Sequence, residues 1–364
     1  MDLPEISNFR ELFLNETPML DVRAPVEFSA GAFPNTTNIP LLNDEERHLI
    51  GIRYKEQGQP AAIELGRELI DGQPKTDRTA MWQSFVEQHP EGVLYCFRGG
   101  MRSKISQEWI HEATGIAFPR VKGGYKALRT FLLEEIEHSI TEIQPIVLGG
   151  RTGAGKTIAI HQLTNSIDLE GLAWHRGSAF GGHVTPQPSQ IDFENRLSIE
   201  LIKHRTAKRF KIVFEDESKA VGSRHIPPAL YEHMSRSPLV ILDVSLQERI
   251  DNSIHEYVTV ALEEYQQTYG EEQGFQKWAD YATHNLSRIS KRLGGERYRE
   301  MNAKLQYAID YLKKTGNPEA HQEWISQLLT DYYDPMYDYQ ISKKKDRITF
   351  SGSMKDVLEY LRRN

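Results

Sequence analysis

Apolar and polar positions alternate in two textures along this chain, and the change between them falls near residue 250. Before it, short apolar runs are separated by segments of helical spacing. Met19-Leu20-Asp21-Val22-Arg23 predicts a strand ending in a charged turn, and Pro25 is placed to open a short helix after it. Gly31 to Pro40 predicts a turn and a short buried segment, while Ile63–Ile70 and Thr79–Gln88 carry helical periodicity. Val93-Leu94-Tyr95 predicts a buried strand, residues 103–113 a helix, and Val121 onward a last strand turning into a helix through Leu133. Glu134–His138 predicts a solvated helix end, with the junction at Thr141–Gln144. A second series then begins: Pro145–Leu148, Ile212–Phe214 and Pro238–Val244 predict buried strands, with an apolar helix from Ile158 to Leu163.

From about Asp251 the pattern is nearly all helical, over 254–265, 275–292, 296–313 and 319–331. A strand at Ile348–Phe350 and a helix from Met354 to Arg362 close the chain. Strands alternating with helices imply parallel, doubly wound α/β sheets with sites at strand C-termini. The expected organisation is a doubly wound domain over 1–140, a P-loop α/β domain over 141–250 and a mainly helical region over 251–364.

Composition narrows the class. A chain of 364 residues, 39% hydrophobic and 26% charged, exceeds one ordinary core. Its longest apolar runs are too short to span a bilayer, and its N-terminus lacks a signal-peptide pattern. One cysteine excludes a disulfide framework and a cysteine-rich metal site, and a cytoplasmic location is expected, without membrane contact. The net charge of −7 arises before Glu200, and the remainder is balanced. A nucleic-acid surface is therefore expected in the second half.

That single cysteine sits in Cys96-Phe97-Arg98-Gly99-Gly100-Met101-Arg102-Ser103, after a strand and before a helix. Such a turn directs backbone N–H groups inward as an anion nest, and Arg98 and Arg102 would favour the thiolate. Cys96 is the candidate nucleophile, with Arg98, Gly99, Gly100 and Arg102 as its cradle. Cys96-x5-Arg102 also fits a phosphatase loop, although Tyr95 stands where tyrosine phosphatases usually have histidine. Asp21, Arg23 and Glu27 are expected to form a scaffold salt-bridge network.

Gly150-Arg151-Thr152-Gly153-Ala154-Gly155-Lys156-Thr157 satisfies the Walker A pattern, with a strand before it and a helix after it. The loop would wrap a diphosphate, Lys156 would neutralise it and Thr157 would hold Mg²⁺. Asp216 and Glu217, at the end of Ile212–Phe214, are the unranked metal-facing acids, with Asp216 paired to Thr157 in the expected Mg²⁺ site. The Gly-rich stretch His175–Gly182 offers Arg176 and Ser178 to a phosphate or flat ring. Arg288, Arg292 and Arg297, around Gly294-Gly295, and Lys343 and Lys344, beside Tyr332, Tyr333, Tyr337 and Tyr339, are the candidate nucleic-acid contacts.

The run from Leu20 to Phe28, then Gly31 through Asn38-Ile39-Pro40, with Cys96 and Gly123-Gly124, resembles rhodanese-type sulfurtransferases over residues 8–135. That resemblance implies a chalcogen atom carried on Cys96. The order of this domain and a P-loop, with Cys96–Ser103, Gly150–Thr157, His175–Gly181 and Phe214–Ser218, resembles the bacterial tRNA 2-selenouridine synthases over nearly the whole chain. The resemblance implies selenophosphate and geranyl diphosphate as co-substrates, and tRNA carrying wobble 2-thiouridine as partner. It leaves room for a selenophosphate-producing enzyme as a second partner. It further implies S-geranylation at the P-loop, then selenium entry from Cys96. The residues alone also allow a rhodanese-fold phosphatase joined to an NTP-dependent kinase or ATPase, or a nucleotide-controlled binding protein.

Overall fold

The computed structural model describes residues 3–363, in two compact units. One holds the chain up to Thr141 together with Ser189–Thr206. The other holds Glu142–Pro188 and the chain from Ala207 onward.

The first unit is built on a five-stranded, all-parallel sheet. Its strands are β1 (Glu5–Ile6), β2 (Met19–Asp21), β3 (Thr36–Asn38), β4 (Val93–Tyr95) and β5 (Arg120–Val121), in spatial order β1-β5-β4-β2-β3. Side chains alternate across the pleat, so each strand feeds two cores. Met19, Val93, Tyr95 and Val121 point to one face, and Leu20, Val22, Leu94 and Cys96 to the other. The second face is covered by Asp44–Ile70, Gln73–Gln88 and Met101–Thr114, through Ile70, Trp82, Phe85 and Ile110.

The first face needs more cover than the first 141 residues supply. Phe9–Leu14 and Gly124–Glu142 pack on it, and Gln190–Thr206 adds Ile199 and Ile202. The span 141–250 expected for the P-loop domain is therefore interrupted by a helix that completes the first unit's core. Glu134–His138 is not a helix end either. Gly124–Glu142 is continuous, and buried Glu135 pairs with Arg10 (2.5 Å) and Arg205 (2.7 Å). No linker follows, since β6 (Gln144–Gly149) starts two residues later.

In the second unit, β6 is the centre of another all-parallel sheet. β7 (Ser166–Ile167), β8 (Lys211–Glu215), β11 (Leu239–Leu242) and β12 (Ile348–Gly352) complete it in the order β12-β11-β6-β8-β7. A small hairpin, β9 (Ala220–Val221) and β10 (Arg224–His225), stands apart. The C-terminal residues are integral to this unit: β12 extends the sheet, and Met354–Arg363 gives Val357, Leu358 and Leu361 to its core. Helices between 246 and 342 form a second core around Trp278, Leu286, Met301, Leu305 and Trp324, as their periodicity predicts. No described helix is long and apolar enough to cross a membrane.

Candidate functional site

Cys96 lies one residue beyond β4 and is 3% exposed. Its thiol donates to Ser103 Oγ at 3.3 Å, and Ser103 donates to Gly100 O at 2.9 Å, fixing the sulfur against the first turn of Met101–Thr114. Gly100 occupies the N-cap of that helix and supplies no side chain to its first N–H groups, leaving them for an anion. The loop's course is set by a second backbone segment. Tyr125 N–H donates to Cys96 O (2.8 Å) and Lys126 N–H to Phe97 O (3.0 Å). Gly124 (φ +60°) makes this possible, since a Cβ there would collide with Cys96 O and lie 2.5 Å from Gly99 N.

The two arginines of this loop have separate fates. Arg102 is bidentate on Glu27, at 2.5 and 3.1 Å. Burial disfavours the Arg102 charge, but Glu27 and the neighbouring Cys96 sulfur more than offset it and raise its pKa. For Glu27, burial pushes the carboxyl upward, yet Arg102 and the Ala24 N–H hold it below the usual range. Arg98 is exposed and lines a concavity of about 640 Å³ with Phe9, Lys126 and Phe131. Asp21 and Arg23 are the expected scaffold pair: Arg23 donates to Asp21 (2.8 Å) and Gly31 O (2.8 Å), and lies 3.8 Å from the Tyr125 ring centre. Glu27 departs from that expectation, because it positions a loop arginine.

The phosphate loop leaves β6 at Gly150 and enters the short helix Lys156–His161. Positive φ at Gly150, Gly153 and Gly155 curls its backbone. Lys156 Nζ folds back on Gly150 O at 3.2 Å. Buried Arg249 donates to Thr152 O (2.9 Å), and Asn252 to Gly153 O (2.9 Å). The segment 334–344 crosses the same loop: Asp334 pairs with Arg249 (2.6 Å), Asp338 with Arg151 (2.8 Å), and the Tyr337 hydroxyl accepts from Gly150 N–H.

Lys344 from that segment binds Asp216 at 2.6 Å, which corrects two expectations. Asp216 is engaged by a lysine instead of facing Thr157, and Lys344 is not free for nucleic acid. Thr157 donates to Glu170 Oε2 at 3.2 Å, and Glu170 shares a hydrogen bond with Glu217. Burial raises both carboxyls, their mutual repulsion raises Glu217 further, and Lys156 works in the opposite sense. Of the two strand-end acids, Glu217 is thus the one beside the Walker residues. Glu170 had no signal in the sequence, since its helix Leu169–Ala173 carries no motif. Arg176 is held by Glu264 (2.6 Å) and Glu256 (3.2 Å), so it is a structural ion pair here. Ser178 Oγ accepts from Phe180 N–H (3.1 Å) within its own loop.

The family model described as the tRNA 2-selenouridine synthase AAA domain matches residues 143–364. The chain is 50% identical to the tRNA 2-selenouridine synthase of Bordetella bronchiseptica, covering 98% of this chain and 96% of that one. It is 50% identical to the one of Marinobacter nauticus, over 99% and 98% respectively. The chain belongs to the tRNA 2-selenouridine synthase family. A third relative of the same name, from Sulfurovum sp., is 48% identical over 99% of each chain.

A tRNA 2-selenouridine synthase is an enzyme of tRNA modification, and the candidate RNA-binding side chains can be located on that basis. Arg288, Arg292 and Arg297 are exposed, with Arg292 3.4 Å from the Tyr332 hydroxyl. The tyrosine cluster does not form one face. Tyr333 is buried in the helical core and Tyr337 packs on the phosphate loop. Tyr339 is exposed, with Lys343 4.1 Å from its ring centre. Trp174, an exposed aromatic outside every motif, escaped the sequence pattern.

Proposed function

We propose that this synthase converts 2-thiouridine at the wobble position of tRNA to 2-selenouridine by two group transfers. In the first, the thione sulfur attacks C1 of geranyl diphosphate, the C–O bond breaks, and diphosphate leaves with the electron pair. Lys156 and the loop N–H groups stabilise the departing charge. In the second, the Cys96 thiolate attacks the phosphorus of selenophosphate, the P–Se bond breaks and hydroselenide is released. Hydroselenide attacks C2, the geranylated sulfur leaves as geranylthiol, and water returns the S-phosphocysteine to the thiol and phosphate. The first unit, taken as rhodanese-like, supplies the second transfer. The observation that supports this proposal is the presence of two strand–loop–helix turns, one of which carries the cysteine.

A Mg²⁺ ion would be held by the Thr157 hydroxyl together with Glu170 or Glu217, because Asp216 is bound by Lys344. Bound there, the ion would supply further charge to the leaving diphosphate. Arg151 and Arg102, each held by a carboxylate, would keep fixed positions beside their loops.

Nucleoside mass spectrometry of 2-thiouridine tRNA incubated with selenophosphate, with and without geranyl diphosphate, tests this. Cys96→Ala is expected to accumulate geranylated thiouridine without selenouridine, and Lys156→Ala to lose geranylation. Selenouridine formed by Cys96→Ala at the wild-type rate would remove Cys96 from the mechanism. Phosphate release from nucleoside triphosphate without any change in the tRNA would favour the NTPase alternative.

A further inference from the structure

Four described non-glycine residues have positive φ, and Trp174 is the one with a large aromatic side chain (φ 53°, ψ 53°). It forms the C-cap of Leu169–Ala173, a place where glycine or asparagine rests without strain. Tryptophan there costs folding free energy, and its burial offers little in return, since 39% of the residue is exposed. The ring is nevertheless held rigidly. One face stacks on His183 at 4.0 Å between centroids and 18° between planes, and the indole N–H donates to Thr185 Oγ1 at 2.8 Å. His183 is fixed in turn by Glu264, at 2.9 and 3.1 Å.

The surroundings of the ring tell what it serves. The nearby carboxylates Glu256 and Glu264 are already paired with Arg176. Glu170, one helical turn before Trp174, is bonded to the Walker threonine. An immobilised, partly exposed aromatic ring one helical turn from a residue bonded to the phosphate loop is the kind of surface on which an unpaired base stacks.

We propose that Trp174 is the platform on which an unpaired base of the tRNA stacks during modification. The stack immobilises a nucleotide near the phosphate loop. This rests on tRNA being the substrate and is independent of the geranyl transfer proposed above.

The test uses the full-length protein with two probes, tRNA carrying 2-thiouridine and a fully paired RNA duplex. Trp174→Gly relieves the backbone strain, so its melting temperature is expected to be unchanged or higher. Its tRNA affinity is expected to fall about 5- to 150-fold, the loss of one base–aromatic stack, with duplex affinity unchanged. Trp174→Phe keeps a ring and should retain most of the tRNA affinity. Unchanged tRNA affinity in Trp174→Gly overturns the platform, as does a lower melting temperature with equal losses on both probes.

Discussion

Gly124 lies outside the cysteine motif, yet its backbone contact determines where the cysteine loop runs. Replacing it by alanine has two costs. At φ +60° a Cβ is disfavoured by about 1–2 kcal/mol. The new methyl also meets Cys96 O and displaces the Tyr125 N–H bond to it, leaving a buried carbonyl short of a partner at about 1–3 kcal/mol. The sum is about 3 kcal/mol, which for a domain of this size lowers Tm by roughly 6–12 °C. The loop must move away from Gly124, so Cys96 should leave its 3%-exposed position and react faster with iodoacetamide. Selenouridine formation should fall in parallel. Gly100→Ala is the control, because no atom lies within 4 Å of a Cβ there and its φ is −91°. Its cost should not exceed about 1 kcal/mol, that of a poorer N-cap. Equal melting temperatures and equal cysteine reactivity in the two variants would refute the argument that the Gly124 contact sets the loop.

Glu27→Gln removes the carboxylate that fixes Arg102 and should reduce selenouridine formation on the order of tenfold, the effect of losing one or two charged hydrogen bonds. Assayed on tRNA that already carries the geranyl group, an unchanged rate would show that Arg102 is positioned by other contacts. His321 predicts a pH dependence in the helical core. Burial holds its pKa at about 4 against 6.5, so the folded imidazole is neutral where the unfolded one takes up a proton. Its contribution is complete above pH 6.5 and is lost as pH falls toward 4, by about 3 kcal/mol. Urea unfolding of the wild type and His321→Gln across that range checks this, since the substitution should flatten the profile.

The local features of this protein were legible from sequence because they depend on neighbours a few residues apart. The apolar run before Gly150, the glycines of the loop and Lys156-Thr157 specify a strand–loop–helix turn without outside help, and the same holds for Val93 to Ser103. The parallel sheets followed from alternating strands and helices, and the helices after 251 from their three- and four-residue spacing. Partnerships across long separations were decided only by the tertiary structure. Whether Asp216 or Glu217 stands beside Thr157 turned on Lys344, more than a hundred residues downstream, and Glu170 entered the site through the packing of a short helix without a motif. Gln190–Thr206 joined the first unit because one face of that sheet still had apolar surface to bury. Tyr333, Tyr337 and Tyr339 share a stretch of sequence but went to a core, a phosphate loop and solvent. Local propensity sets an element's type, whereas the surface an element meets, which sequence spacing does not encode, sets what each side chain touches.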